Sequence, residues 1–349
     1  MQSDAENAAR ISVLMPTYNG IRHIRAAVDS VRAQTLQHWE LLISDDGSTD
    51  GTVEYLKTLA DDRIKLFAQP KNLGIFGNLN FLLENAGCEV AKIFCQDDTL
   101  LPNALESCLD FMQRHPECAV ARCWNVGDAT PSRRRDTTPL ERELPVNLRP
   151  RAAVLAFATF GNLPGNLSTT ICRPAKVLEA GGFNQAFPYA GDFEGWVRVA
   201  QRYGLSFLRE EVVKVRVHAL QNSVLLNRSN ELPQQLDAIL NMLASRVAPE
   251  LLPLLKRHWT IHFLAPRLSK SVWLLLKREP AKAWKSYRTL PLGISFLACI
   301  GAYPFWRLGL GTSWTTRRLL RQILQLNDSE APPASNLQAR PPVEATGHL

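Results

Sequence analysis

The sequence lacks the cysteine patterns that mark zinc sites and disulfide frameworks. Its seven cysteines are odd in number, are scattered from Cys88 to Cys299, and include no C-x-x-C pair. The first ten residues contain Asp4, Glu6 and Arg10 and no apolar stretch, so we expect no signal peptide there. These absences favour a reducing cytosol in which the cysteines serve as small core residues.

Acidic residues are nearly missing from the C-terminal part of the chain. Residues 251–326 hold thirteen Lys and Arg but one acid, Glu279, for a net charge of +12, whereas the remaining residues carry −5. Such an asymmetry predicts a polyanionic partner, either an anionic membrane surface or nucleic acid. Because no nucleic-acid-binding motif or basic groove with interleaved aromatics is recognisable, we predict the membrane surface and no nucleic acid.

An uncharged run of 18 residues, 289–306, lies within this basic part and contains several aromatic side chains. Its length would admit a membrane span, but two prolines and two glycines interrupt it and basic residues flank it. Upstream, Ile261, Leu264 and Leu275 recur at helical spacing beside lysines. We therefore predict helices that lie in the membrane interface or a shallow re-entrant hairpin. The alternative is a soluble helical appendage with a basic surface.

Short apolar runs alternate with segments of helical periodicity in the first third of the chain. Strands are predicted at 11–16, 39–44, 64–68 and 90–95, with helices at 21–34, after 52, at 76–86 and at 102–115. This β-α order predicts an α/β fold with a mostly parallel sheet and helices on both faces.

Three regions are predicted from the change in pattern along the chain. Residues 1–225 form the α/β domain, in which 128–150 is expected to be a loop or flap because it lacks periodicity. Residues 226–326 form a helical, basic, membrane-associating region. Residues 327–349, with four prolines, are expected to be a disordered tail.

Polar side chains follow three of the predicted strands. The first strand leads into Pro16–Asn19, the second into Asp45 and Asp46, and the fourth into Gln96, Asp97 and Asp98. Ligands of open α/β sheets bind beyond the carboxyl ends of the strands. One such cluster could be an ordinary turn. Two Asp-Asp pairs repel unless a cation compensates, and a hard divalent ion could bridge them to a diphosphate.

These segments, taken in order, resemble the family 2 glycosyltransferases, which are inverting enzymes with the GT-A fold, here of the bacterial surface-polysaccharide type. The resemblance extends over about residues 11–223. It rests on residues 11–19, 40–50, 72–74, 96–98 with Leu101 and Pro102, 181–183, 190–196, and 216–218 with Gln221 and Ser223.

The resemblance implies a role for each matching position. Asp46 would accept a hydrogen bond from the ring N–H of a pyrimidine, and Asp97 would contact the ribose or the sugar. Asp98 would bind Mn²⁺ or Mg²⁺ at the donor diphosphate, with His218 as a further ligand. The remaining nucleotide-binding positions are Pro16, Thr17, Tyr18 and Asn19.

Asp192 stands where the family has its general base, which deprotonates the acceptor hydroxyl. Glu194 is the rival candidate for this role. Two expected acids are absent, because Gln96 occupies the first position of the metal motif and Gly191 precedes Asp192.

The resemblance implies transfer of a sugar from a UDP- or dTDP-sugar to a hydroxyl of a glycan or polyprenyl-linked acceptor. The expected location is cytoplasmic, peripheral on the inner face of the cytoplasmic membrane. Two alternatives stay open at this point. A nucleotidyltransferase would normally carry a Gly-rich loop after the first strand, where Pro-Thr-Tyr-Asn stands. A catalytically degenerate scaffold at the membrane is supported by Gln96 and Gly191.

Overall fold

The computed structural model describes residues 10–126, 138–216, 232–264, 271, 274–281, 301–302 and 312–330. Four parallel strands form the first half of its sheet in the order β3-β2-β1-β4. Every residue of β1 and β2 is buried, as expected of strands covered on both faces. The bounds of the four strands are β1 Ile11–Thr17, β2 Trp39–Asp45, β3 Ile64–Ala68 and β4 Ala91–Ile93.

Alternation along the strands divides the core into two clusters. Ile11, Val13 and Met15 of β1 point into one cluster and Leu14 points into the other. The first cluster is covered by α1 (Ile24–Arg32), with buried residues at helical spacing, and by α4 (Ala104–Arg114). Between these helices in sequence lie α2 (Thr52–Lys57) and α3 (Gly74–Glu84), and α3 covers the second cluster.

The second half of the sheet is mixed. β5 (Thr99–Leu100), β6 (Val120–Asn125), β8 (Thr170–Cys172) and β9 (Leu205–Lys214) complete the order β4-β8-β6-β9-β5. The predicted loop at 128–150 is wrong in part, because it holds α5 (Thr138–Glu141) and β7 (Asn147–Leu148). A two-residue strand has no periodicity of its own, and pairing with β9 stabilises it. Residues 127–137 lie outside the described part of the chain.

Three more of the described helices lie in the second half of this domain. α6 (Pro150–Phe160) and α8 (Gly191–Tyr203) stack through Phe157 and Phe193, whose ring centroids are 6.0 Å apart. α7 (Pro174–Glu179) lies between them in sequence. Further helices come from the basic region: α9 Leu232–Ala244, α10 Leu252–Trp259 and α11 Thr312–Ser329.

The helices of the basic region share the core of the α/β domain. Trp259 and His258 of α10 are fully buried and hydrogen bond to the carbonyls of Ala158 and Thr159 in α6, at 2.6 and 2.8 Å. Burial lowers the pKa of His258 well below its usual value, so its ring is neutral. Ile261 and Leu264, which the sequence suggested for the membrane interface, are buried in the protein instead.

The C-terminal boundary also differs from the expected one. α11 continues to Ser329, and the Asn327 side chain accepts a hydrogen bond from the Arg149 N–H at 2.7 Å. Residues 327–329 are therefore helical, and 331–349 lie outside the described residues. Within the described ranges no helix has the length and apolar character that a membrane crossing requires. The run 289–306 is not described apart from residues 301–302.

Candidate active site

The carboxyl ends of β1, β2 and β4 meet at one edge of the sheet. Pro16 pairs with Ser44 and Thr17 with Asp45 in the β1–β2 register, and the Asp46 N–H donates to the Thr17 carbonyl at 2.8 Å. β4 lies on the other side of β1, and the Phe94 N–H donates to the Leu14 carbonyl. The polar residues that follow these three strands are thereby brought together, as parallel pairing of β1 with both neighbours requires.

The loop after β1 is fastened to the loop after β2. Asn19 adopts the left-handed conformation, with φ of 47°, which asparagine tolerates better than most residues. Its N–H donates to Ser48 Oγ at 2.7 Å, and its Oδ1 accepts from the Thr49 N–H at 2.9 Å. Pro16 and Thr17 are buried at the end of β1, whereas the Tyr18 side chain is half exposed. Tyr18 is therefore the loop side chain best placed to meet a ligand.

The two aspartates at the end of β2 have different partners. Asp45 caps its own loop, because its carboxylate accepts hydrogen bonds from the Gly47 N–H and from both the N–H and hydroxyl of Ser48. Asp46 is buried, and its Oδ1 accepts from the Leu73 N–H at 2.6 Å. Asp46 is thus anchored to the segment that precedes α3, at the edge where the nucleotide is expected.

Gln96 joins the end of β4 to the loop after β1. Its Oε1 accepts from the Tyr18 N–H at 3.0 Å, and its Nε2 donates to the Tyr18 carbonyl at 2.8 Å. A Cβ atom at Gly20 would lie 2.2 Å from Gln96 Oε1, so glycine leaves room for this pairing. A carboxylate at position 96 could not donate to the Tyr18 carbonyl, and this explains structurally why glutamine occupies the position.

Asp98 is the most electrostatically perturbed carboxylate at this edge. Its Oδ1 accepts from the Arg216 N–H at 2.9 Å, while its buried Oδ2 has no hydrogen-bond partner among the described residues. Burial, and then the charge of Asp97, raise the pKa of Asp98 to about 6. A buried carboxylate oxygen without a partner is costly unless a ligand compensates it.

Asp98, Asp97 and Cys95 present ligand atoms that all lie within 4.8 Å of one another. Burial raises the pKa of the Cys95 thiol, so it stays protonated and is a poor ligand. Two carboxylates with one unpartnered oxygen suit a hard divalent cation such as Mn²⁺ or Mg²⁺. The residues present therefore fit the expected metal. His218 lies outside the described residues, two positions after Arg216.

Lys92 is a fully buried cation that sequence reasoning missed. It lies in the middle of β4, and its ammonium donates to the carbonyls of Ser168 and Thr170. The Ser168 hydroxyl in turn accepts from the Cys95 N–H at 2.8 Å. The segment before β8 is thereby held against the end of β4, beside Asp98. The sequence feature that could have indicated this role is a lysine between the apolar residues of β4.

Asp192 lies in the first turn of α8. Its Oδ2 accepts a hydrogen bond from Asn162 Nδ2 at 2.8 Å, directly after the end of α6. Burial raises the pKa of the Asp192 carboxyl, and the hydrogen bonds from the Phe193 N–H and Asn162 offset part of that rise. A carboxylate with a raised pKa is suited to act as a general base. Asn162 was not predicted, because its contact is formed only by the packing of α6 and α8.

The rival base Glu194 is engaged elsewhere. Both of its carboxylate oxygens bind the Arg198 guanidinium, at 2.7 and 2.9 Å, and Glu194 is buried. Arg198 also donates to the carbonyls of Ala180 and Gly182. Glu194 therefore fixes the turn that contains Gly182, and it is not free to accept a proton from an acceptor.

Gly191 occupies a place with no room for a side chain. A Cβ atom there would lie 2.7 Å from the ring of Phe76, which is buried and stacks on Phe183 with centroids 5.7 Å apart. The Phe76 ring thus fills the space that the side chain of an acid at position 191 would need.

Comparison with known proteins identifies the family to which the α/β domain is similar. The model of the family "Glycosyl transferase family 2" matches residues 12–180. An uncharacterized glycosyltransferase of Rickettsia felis is 28% identical over 225 residues, which cover 63% of this chain and 36% of that protein. One from Haemophilus influenzae is 26% identical over 237 residues, covering 64% of this chain and 70% of that protein. The chain thus spans about a third of the length of the first relative.

A relative with an assigned reaction is the Escherichia coli UDP-Glc:alpha-D-GlcNAc-diphosphoundecaprenol beta-1,3-glucosyltransferase WfgD. It is 24% identical over 229 residues, covering 66% of this chain and 85% of that protein. Among solved structures, S. aureus TarS 1-349 has a TM-score of 0.58 at 16% identity and covers 90% of this chain and 91% of its own. The Pyrobaculum calidifontis mannosyltransferase PcManGT, solved with GDP-Man and Mn²⁺, has a TM-score of 0.53 at 19% identity, covering 93% and 88%.

These similarities confirm the expected GT-A fold, with its large, mostly parallel sheet and surrounding helices. The sequence motifs, the family match and the strand order lead to the same assignment. Residues 12–180 of this chain are therefore assigned to glycosyl transferase family 2.

Proposed function

We propose that this chain is an inverting, metal-dependent glycosyltransferase. It transfers a sugar from a UDP- or dTDP-sugar to a hydroxyl of a glycan or lipid-linked acceptor in cell-surface polysaccharide synthesis. The observation that carries the proposal is the pairing of two perturbed carboxylates through one segment. Asn162 at the start of that segment holds Asp192, and Ser168 at its end binds the backbone beside Asp98.

The donor nucleotide is assigned to the edge formed by Pro16, Thr17, Tyr18, Asn19 and Asp46. The exposed Tyr18 ring offers a surface, and the second oxygen of Asp46 would accept the ring N–H of a pyrimidine. Asp97, next to Asp98, would contact the ribose or the sugar. Support for a UDP-sugar comes from the E. coli relative, whose name specifies UDP-Glc, and from a TarS structure in complex with UDP-GlcNAc.

Asp98 and His218 would hold Mn²⁺ or Mg²⁺ at the donor diphosphate, near Asp97. When bound, such a cation stabilises the negative charge of the departing diphosphate. The chain's own contribution is the buried setting of Asp98, which leaves one oxygen without a protein partner among the described residues. Cys95 stays protonated and contributes packing only.

Asp192 would remove the proton from the acceptor hydroxyl as that oxygen attacks the anomeric carbon. The bond from this carbon to the diphosphate breaks on the opposite face, so the configuration inverts. The raised pKa of Asp192 favours proton uptake, and the hydrogen bond from Asn162 orients the carboxylate. Glu194 has no part in this step because Arg198 occupies it.

The proposed location is supported by charge, and the proposed acceptor by the name of a relative. The net +12 of residues 251–326 supports attachment at an anionic membrane surface, on the cytoplasmic face where nucleotide-sugars are available. A polyprenyl-linked acceptor is consistent with the diphosphoundecaprenol acceptor in the name of the E. coli relative.

The test supplies the purified full chain with Mn²⁺, a panel of nucleotide-sugars and a GlcNAc-diphosphate lipid acceptor, and detects the product by mass spectrometry. We expect transfer from a UDP- or dTDP-sugar, tighter binding of UDP or dTDP than of GDP, and loss of transfer in Asp192→Asn. Nucleotide binding without transfer or donor hydrolysis would favour the degenerate scaffold. Tighter binding of GDP than of both pyrimidine nucleotides would contradict the assignment of Asp46.

The structure weakens the two observations behind the scaffold alternative. Gln96 makes two hydrogen bonds to the Tyr18 backbone, one of which a carboxylate could not donate. Gly191 is required because the Phe76 ring leaves no room for a side chain there. Neither replacement therefore requires a loss of catalysis. The nucleotidyltransferase alternative loses its support because residues 12–180 match a glycosyltransferase family.

A further inference from the structure

One face of α11 carries three arginines and a tryptophan that the proposed catalytic site does not use. We call these four residues the cationic stripe: Trp314, Arg317, Arg318 and Arg321. They follow helical spacing and are all exposed, whereas Leu319, Leu320 and Ile323 on the other side of α11 are buried. The stripe lines a cavity of about 400 Å³ together with Gln322 and Gln325.

The charges of the stripe are not neutralised within the described part of the chain. None of the salt bridges formed there involves Arg317, Arg318 or Arg321. The guanidiniums of Arg318 and Arg257 instead lie over the Trp314 ring, 5.6 and 5.2 Å from its centroid. The ring nevertheless stays 50% exposed. Two guanidiniums over a half-exposed indole, with Arg317 and Arg321 exposed on the same helix, are complementary to phosphate groups at a membrane interface.

The position of the stripe relative to the site follows from the packing of α11 on α6. Near the start of α11, Thr315 Oγ1 lies 3.3 Å from His258 Nδ1, and His258 Nε2 hydrogen bonds to the Thr159 carbonyl. Near its end, Asn327 contacts Arg149, at the start of α6. The two helices are therefore antiparallel. The Trp314 end of the stripe lies near the C-terminal end of α6, which is followed by Asn162, the hydrogen-bond partner of Asp192.

We infer that the cationic stripe docks onto anionic phospholipid headgroups and brings the Asp192 end of the domain to the membrane surface. The docking itself stands on the stripe; its use in presenting a lipid-linked acceptor rests on the proposed function. An aromatic ring with one polar edge suits the headgroup level, and the three arginines supply the electrostatic attraction.

The test is co-sedimentation of the full chain with large unilamellar vesicles of phosphatidylcholine, with and without phosphatidylglycerol. The stripe variant is Arg317→Glu, Arg318→Glu and Arg321→Glu. We expect the affinity of the corresponding triple Gln variant for the anionic vesicles to fall about 100-fold, because each cation near an anionic surface contributes about fivefold. The triple Glu variant should lose more, because it also adds three negative charges.

The matched control is the triple variant Lys57→Glu, Arg114→Glu and Arg142→Glu. It changes the net charge by the same amount, at exposed positions outside the stripe. It should bind vesicles as the wild type does. Thermal melts establish that each variant is folded. Undiminished pelleting of the folded stripe variants would overturn the inference, as would equal binding of the wild type to neutral vesicles. Tighter binding of a single-stranded RNA than of anionic vesicles would assign the stripe to nucleic acid instead.

A second readout separates this inference from the proposed function. Transfer is measured on an acceptor in anionic vesicles and on a soluble analogue without the lipid. The stripe variant should lose transfer to the vesicle acceptor and keep transfer to the soluble one. If the wild type transfers sugar to neither acceptor, the proposed function fails. The vesicle-binding result still decides whether the stripe docks onto anionic headgroups.

Discussion

Gln96→Glu is the substitution that best distinguishes the two explanations of position 96. It preserves the length and shape of the side chain but replaces the amide donor by a second acceptor. The hydrogen bond from the Tyr18 N–H can persist, whereas the other oxygen must face the Tyr18 carbonyl at about the present 2.8 Å. The new charge also adds to Asp97 and Asp98 at the same strand end.

The magnitude follows from one lost hydrogen bond and one new repulsive contact. A hydrogen bond contributes about 1 kcal/mol net, and facing acceptors add a cost of similar size. Gln96 is partly exposed, so solvent screens part of the repulsion. We expect about 1–2 kcal/mol in total, or about 5- to 30-fold weaker binding of the donor nucleotide. The donor KM should rise with little change in kcat, because Gln96 positions the Tyr18 loop and does not act on the reacting atoms.

The opposite expectation comes from the motif alone. If position 96 simply lacks an acid that the metal needs, Gln96→Glu should strengthen donor binding in Mn²⁺. Isothermal titration of UDP into both proteins, with and without Mn²⁺, measures the sign directly. Gln113→Glu, on the exposed side of α4, is the matched control and should change nothing. Equal or tighter donor binding by the Gln96→Glu variant would refute the positioning role argued for the amide.

The remaining predictions concern the metal, the base and the turn beside it. Asp98→Asn should abolish transfer, and EDTA should silence the wild type until Mn²⁺ is restored; full activity in EDTA would remove the metal from the mechanism. Asp192→Asn should lower kcat about 100- to 10 000-fold with donor affinity retained, as single-turnover assays and titration would show. Because burial raises the pKa of Asp192, the wild-type kcat should fall as pH drops through that raised value, above the range of an ordinary aspartate; a rate independent of pH there would count against this base. Arg198→Met leaves Glu194 buried without its partner and should destabilise the fold by about 3 kcal/mol in urea denaturation, whereas Glu194→Gln should keep kcat.

The parallel half of the sheet could be predicted because its signals are local. The apolar runs that form β1 and β2 are long and end in polar residues, and Ile64–Ala68 is β3 as expected. The β-α-β connections then predict that these strands run parallel, although chain order alone does not show that β4 pairs with β1 and not with β3. The clustering of Asp46 and Asp98 at one edge follows from that topology without any knowledge of side-chain packing.

The contacts that tune the site could not be predicted in the same way. The hydrogen bond from Asn162 to Asp192 depends on how α6 packs against α8, and the bonds of Lys92 depend on where Ser168 meets β4. Helical periodicity shows that a face is apolar, but it does not show what covers that face. The spacing of Ile261 and Leu264 therefore predicts a membrane-interface helix, although the protein itself buries both side chains.

α6 connects the proposed base with the cationic stripe through close packing. Phe157 of α6 stacks on Phe193, the neighbour of Asp192, while the carbonyls near its end bind His258 and Trp259 of α10. Protein interiors are packed about as densely as organic crystals, so these helices keep fixed relative positions. A flexible basic tail would raise the local concentration of the enzyme at a surface without orienting it. A stripe on α11, which packs directly on α6, would also set the direction in which Asp192 faces the membrane, and that direction decides whether a lipid-linked hydroxyl can reach it.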